Sequence, residues 1–275
     1  MNPPGRAPRF PLLLKQVGRA TTPARPQETL RPQRPVHEAA RDAQPRAAPQ
    51  GLGLDSASVR LRMVQRLRAQ GIHCEPVFAA MAQVPRHRFV DSALATQAYE
   101  DTSLPIGHGQ TISKPSVVAR MMELLYGGAL AHRNGHLGRT LEVGTGCGYQ
   151  TALLARMAQR VVSIERLRPL FDKAGEHLAG FEPLLRLDSV RLVHGDGRLG
   201  HAPNAPYDSI IAAAGGDDMP QPWLDQLAVG GRLVAPMHRA GGRGQVLVVV
   251  DRTDSGCVRT EYEAVHFVPL KSGVV

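Results

Sequence analysis

The segment Leu141-Glu142-Val143-Gly144-Thr145-Gly146-Cys147-Gly148 leaves an apolar run and opens a helical one. That is the context in which a glycine turn serves a nucleotide-type ligand. Glycine lets the chain turn tightly and brings backbone close to what it binds. A dinucleotide fingerprint counted from Gly144 needs its last glycine where this chain has Tyr149, so that fingerprint is broken and the pattern is E-x-G-x-G-x-G. Glu165 ends the next apolar run, 21 residues after Gly144. An acid about 20 residues on accepts hydrogen bonds from ribose hydroxyls. Asp196, in His194-Gly195-Asp196-Gly197, follows the third run and could face the base. Three carboxylates, Glu142, Glu165 and Asp196, would repel a diphosphate. They suit an adenosyl ligand without one, such as S-adenosylmethionine with its cationic sulfonium and amino group.

These residues need strands that end together. Thr140–Val143, Arg160–Glu165, Val190–Val193, Ser209–Ala214, Arg232–Pro236 and Gln245–Asp251 read as strands, and Glu261–Val268 as a last extended piece. Helical stretches alternate with them at Tyr149–Gln159, Leu170–Leu178 and Pro222–Leu227. Buried strands alternating with helices predict a parallel sheet covered on both faces. The expected fold is therefore α/β, a doubly wound, mainly parallel, Rossmann-like sheet with added N-terminal helices. Its ligand would sit at the carboxyl ends of the strands, where the strand order switches. The added helices begin near Ser58, where Val59, Met63 and Leu67 recur at helical spacing, and continue over Glu75–Ala82. Asp101–Ser113 reads as loop. Pro115 then suits a helix's first turn, with Val118, Met121, Met122 and Leu125 on one apolar face.

Composition narrows the class. The chain has 275 residues, 43% hydrophobic and 21% charged, with a formal net charge of +9. Residues 1–50 hold nine Lys and Arg, three acids and 10 of the 22 prolines. Such a stretch cannot bury enough apolar area to offset its ordering entropy. Residues 1–57 are therefore expected to be a disordered basic tail, and 58–275 the folded catalytic domain. No apolar run approaches the ~18–20 residues that a spanning helix needs, so no membrane partner is expected. Cys74, Cys147 and Cys257 have neither disulfide nor metal-ligand spacing, which predicts a cytoplasmic protein without a metal. The folded part is nearly neutral and aromatics are 4%, so no specific nucleic-acid partner is expected. The tail leaves room for weak RNA binding. A monomer is expected.

The chain resembles the protein-L-isoaspartate O-methyltransferases. The matching segments are Val84–Val90, Leu104–Ser113, Leu141–Gly148, Val162–Arg166, Gly195–Gly197, Ala205–Asp208, Asp225–Leu227, Gly230–Leu233 and Phe267–Leu270. They run in order from about residue 58 to 272. The G-x-G-Q-T-I-S loop ending at Ser113 is close to diagnostic. The chain departs from some relatives at Lys271 and Val118.

The resemblance implies methyl transfer from S-adenosylmethionine to the free α-carboxylate of isoaspartyl residues in damaged proteins and peptides. The ester then collapses to a succinimide, which starts repair. Carried over by position, Ser113 matches the active-site serine. Gln110, Thr111, Ile112, Glu142, Gly144, Gly146, Gly148, Glu165, Asp196 and Gly197 match cofactor contacts. Leu104, Pro105, Ile106 and Gly107, with Val265, His266, Phe267 and Val268, match the segments that hold the isoaspartyl backbone. An acceptor carboxylate is already an anion at neutral pH, so Ser113 is expected to position it rather than attack. No G-x-S-x-G elbow is present to suggest a Ser-His-Asp triad. An RNA methyltransferase and a non-catalytic adenosine-binding module are the rival readings. His108 has two open readings, as a substrate contact or an exposed loop residue.

Overall fold

The apolar repeat near Ser58 becomes a helix, α1 (Ala57–Ala69), which buries Met63, Val64 and Leu67. Helix α2 (Glu75–Gln83) starts with a proline in its first turn and buries Val77, Phe78, Ala80 and Met81. Helix α3 (Pro115–Tyr126) also starts on proline, whose fixed φ suits that place and whose missing N–H costs nothing there. Its Val118, Met121, Met122 and Leu125 are all buried. Each such side chain contributes roughly 1.5–3 kcal/mol by leaving water. A short helix, α4 (Ala129–Asn134), was not expected from the sequence; Gly135, in the left-handed region at φ 70°, ends it. This computed structural model describes residues 57–181, 187–239 and 244–275. The expected tail lies outside them except for Ala57.

The stretch expected as loop folds back on itself. Strands β1 (Leu104–Gly107) and β2 (Gln110–Ile112) pair antiparallel, with Leu104 opposite Ile112. Gly107, His108 and Gly109 all have positive φ and make the reversal. Pro105 is tolerated because this two-stranded ribbon is all edge.

Seven strands form the main sheet: β3 (Arg139–Val143), β4 (Arg160–Glu165), β5 (Val190–His194), β6 (Tyr207–Ala212), β7 (Leu227–His238), β8 (Gln245–Thr253) and β9 (Gly256–Val265). Their order is β5-β4-β3-β6-β7-β8-β9. β5 to β7 are parallel, while β8 and β9 join antiparallel. Sequence alternation predicts the parallel part. The antiparallel edge is set by short connections, which permit a hairpin but no crossover helix. The crossovers carry α5 (Tyr149–Met157), α6 (Arg168–Ala179) and α7 (Gln221–Gln226).

Leu141, Val143, Val162, Ile164, Ile210 and Leu233 form one buried layer with the fully buried Trp223. A second, larger buried cluster includes residues of α1, α2, α3 and α5. The chain leaves β3 toward β4 and β5, then returns past β3 to β6. The strand order therefore switches between β3 and β6, and the glycine turn stands at that point. Among the described residues no helix is long and apolar enough to cross a membrane.

Candidate active site

The turn after β3 is held from three sides. The Gly144 and Thr145 amides donate to the Ile164 carbonyl of β4 at 2.8 and 3.2 Å. The Gly146 amide donates to Oε2 of Glu165 at 2.9 Å. On the other side the Ala213 amide donates to the Val143 carbonyl at 2.8 Å. Gly144, Gly146 and Gly148 all lie at positive φ, where an L side chain is strained. The turn thus presents bare backbone to the space beyond it.

That space is a cavity of about 370 Å³. Gly144, Gly146, Glu165 and Gly197 line it, as do Gln110, Thr111 and Ile106 of the hairpin. Glu165 is 6% exposed, and its Oε1 accepts the Leu167 amide at 3.0 Å. Both carboxylate oxygens are therefore aimed by backbone and keep lone pairs for hydroxyl donors. A Cβ on Gly197 would lie 2.5 Å from Cγ1 of Val143, so only glycine fits there. The buried indole of Trp223 donates to the Gly197 carbonyl at 2.8 Å and fixes that floor. Ile164, Leu167 and Leu170 supply an apolar wall. An acid with aimed lone pairs, bare backbone and an apolar wall fit an adenosyl group. His108 also lines this cavity.

A second cavity, of about 450 Å³, is lined by Ser113 together with Val265, His266, Phe267 and Val268. Ser113 is half-buried and precedes α3. Its carbonyl accepts from Nη2 of Arg86 at 2.7 Å. The strand-like segment opposite is pinned by Gln245, whose Oε1 accepts the Phe267 amide at 2.7 Å, and by the Gly215 amide, which donates to the Val268 carbonyl at 2.8 Å. Thr111, Ala213 and Val268 line both cavities. The two spaces are therefore neighbours that share these three border residues.

Several expected contacts lie elsewhere. Glu142 is 0% exposed and does not line the first cavity. Its carboxylate accepts from Gln150 Nε2 at 3.0 Å, from Ser163 Oγ at 2.6 Å and from the Thr151 hydroxyl. It ties β3 to α5 and β4 beneath the turn, and burial pushes its carboxyl up to about 7. The Asp196 side chain does not line the cavity either. Oδ1 accepts the Arg198 amide at 2.9 Å and Oδ2 the Gly273 amide at 2.6 Å. Gly148 caps α5 behind the turn, and Ile112 is buried in the core. Leu104, Pro105 and Gly107 line neither cavity, because strand alternation turns Leu104 inward and the other two toward solvent. Ile106 reaches the first cavity rather than the second one.

The sequence reading did not single out Leu167, Leu170, Ala213 or Arg86 as site residues. The leucines carry a signal, since they open the helix straight after Glu165. The alanine carries a weaker one, at the end of a strand beside the switch point. Arg86 carries only its place in the matching segment Val84–Val90, because an arginine beside His87 and Arg88 in a short loop otherwise reads as solvated.

A family model described as "Protein-L-isoaspartate(D-aspartate) O-methyltransferase (PCMT)" matches residues 58–275. A protein-L-isoaspartate O-methyltransferase of Methylibium petroleiphilum is 62% identical over 269 residues, covering 97% of each chain. One of Leptothrix cholodnii is 58% identical over 285 residues, covering 98% of this chain and 96% of that one. A crystal structure from Plasmodium falciparum, described as a putative enzyme of this kind in complex with S-adenosyl-L-homocysteine, superposes with a TM-score of 0.64 at 26% identity. It covers 77% of this chain and 98% of that one.

Proposed function

The chain belongs to the protein-L-isoaspartate(D-aspartate) O-methyltransferase family, and from that premise we propose which of its residues carry the reaction. The enzyme transfers a methyl group from S-adenosylmethionine to the free α-carboxylate of isoaspartyl residues in damaged proteins and peptides. The first cavity takes S-adenosylmethionine, which supplies an already activated methyl group. Glu165 receives the ribose hydroxyls, and the backbone of Gly144, Gly146 and Gly197 forms the bed. The second cavity takes the isoaspartyl residue against Val265–Val268. Ser113 donates its hydroxyl hydrogen to the acceptor carboxylate and so fixes one oxygen.

One observation carries this reading. Thr111, Ala213 and Val268 line both spaces, so the two cavities are neighbours and donor and acceptor meet at their common border. An α-carboxylate, with a pKa of about 3.3–3.7, is an anion at neutral pH and needs no general base. The protein's work is alignment, which supplies roughly up to 7–11 kcal/mol in intramolecular reference systems. The apolar lining of Val265, Phe267 and Val268 strips water from the nucleophile.

The activity resides in residues 58–275, a reading supported by the family match over that span. The tail takes no part in it. The enzyme works as a cytoplasmic monomer; its three cysteines are free thiols, which suits a reducing compartment. The test is a methyl-transfer assay on an isoaspartyl peptide beside its aspartyl twin. Methylation of the first alone is expected, because the extra backbone methylene moves the carboxylate. Equal rates on both would overturn the assignment.

A further inference from the structure

Arg86 is the one fully buried arginine among the described residues. No carboxylate forms an ion pair with it among those residues. Its fork is spent on two carbonyls: Nε donates to Ala98 at 2.8 Å and Nη2 to Ser113 at 2.7 Å. The guanidinium carbon lies 4.9 Å from the ring centre of Tyr149, the first residue of α5 after the glycine turn. Arg86 Nη1 and the Tyr149 hydroxyl are both buried and make no well-formed hydrogen bond among the described residues, but they lie close enough to interact with each other, and Asp101 adds an attractive charge. A buried charge held by two carbonyls and no ion pair is a poor stability device, since apolar replacements of buried charges are often neutral or stabilising. This side chain links the two halves of the site from behind. It grips the residue that faces the acceptor and rests on the helix that the cofactor turn opens. It lines neither cavity, so it acts through those neighbours.

We propose that Arg86 is a positioning residue of the methyl transfer, fixing Ser113 relative to the glycine turn through its bond to the Ser113 carbonyl and its packing on Tyr149. The proposal rests on the reading of Ser113 as the acceptor-side residue. The planar fork matters as well as the charge: a lysine cannot present the same two donors to two carbonyls.

The test is a double-mutant cycle of Arg86→Met and Ser113→Ala in the full chain, with Arg86→Lys beside it. Initial rates on an isoaspartyl peptide give kcat and KM, and thermal melts report folding. Arg86→Met should lower kcat about 10- to 100-fold, as a small misplacement does, with peptide KM within about threefold. Its melting temperature should stay within about 5 °C of wild type. In the Ser113→Ala background the same change should cost less than about threefold, because the group it positions is gone. Arg86→Lys should fall between wild type and Arg86→Met. An unchanged kcat, or an equal loss in both backgrounds, overturns the proposal. If Arg86→Met does not fold, Arg86→Lys carries the same cycle, and wild-type kcat in that variant overturns it. An unchanged rate in Ser113→Ala alone defeats the reading of Ser113, and the proposal with it. A slowed Ser113→Ala beside unaffected Arg86 variants defeats the proposal only.

Discussion

Glu165 holds the glycine turn as well as facing its cavity: the Gly146 amide donates to its Oε2 at 2.9 Å across the gap between β3 and β4. One carboxylate therefore shapes the turn and, in the proposed assignment, offers the acceptor lone pairs for a ribose. Losing it removes a charge-assisted partner of the ligand and leaves two amides, Gly146 and Leu167, without theirs.

Glu165→Ala is expected to weaken S-adenosylmethionine binding by roughly 10- to 150-fold, the equivalent of about 1.5–3 kcal/mol. Calorimetric titration measures this directly. Unchanged affinity would take Glu165 out of the site.

Glu142 is expected to behave differently, since its carboxylate serves the scaffold. Burial raises its carboxyl to about 7 from an ordinary value of 4.5. A raised folded value means that the protonated form is favoured by folding. Its stabilising contribution is complete below about pH 4.5 and is lost as pH rises through about 7. The full swing is on the order of 3 kcal/mol. Glu142→Gln carries no titrating group, so its stability should gain on that of wild type between pH 5 and 7.5. Its S-adenosylmethionine affinity should stay within about threefold of wild type. Denaturant unfolding at several pH values checks the first part. Parallel stability profiles would show that the carboxyl titrates at its ordinary value.

That contrast marks where sequence reading reaches its limit. Glu165 was legible because a strand end and a spacing from Gly144 define where its side chain goes. Glu142 has the same chemistry one residue before the end of β3, but Thr151, Gln150 and Ser163 compete for it. Those partners come from a helix and a neighbouring strand that no local pattern links. The parallel core was legible because buried strands and crossover helices have different periods. The β1–β2 hairpin was not, since Pro105, Gly107 and Gly109 read as loop and three positive φ angles decide otherwise. That Val265–Val268 belong near Ser113 was expected only through resemblance. Their place there depends on the antiparallel edge, which parallel alternation does not foretell.

The composition of residues 1–57 predicts that they contribute nothing to catalysis. Deleting residues 1–55 should leave turnover on short peptides and the melting temperature nearly unchanged. A truncated chain that cannot fold would contradict this. A chain that loses only affinity for RNA would instead assign the basic segment to that partner.

The central claim is that methyl passes directly to a carboxylate positioned by Ser113 where the two cavities border each other. Its most direct test is the rate of Ser113→Ala against wild type from pH 6 to 8, with mass spectrometry of enzyme trapped during turnover. Loss of one hydrogen bond to a charged group, about 1.5–3 kcal/mol, predicts a fall of about one to two decades. No histidine-like limb should appear in either profile over that range, and the trapped enzyme should carry no methyl group. A methyl group found on Ser113, or a steep limb in wild type that vanishes in Ser113→Ala, would contradict direct transfer.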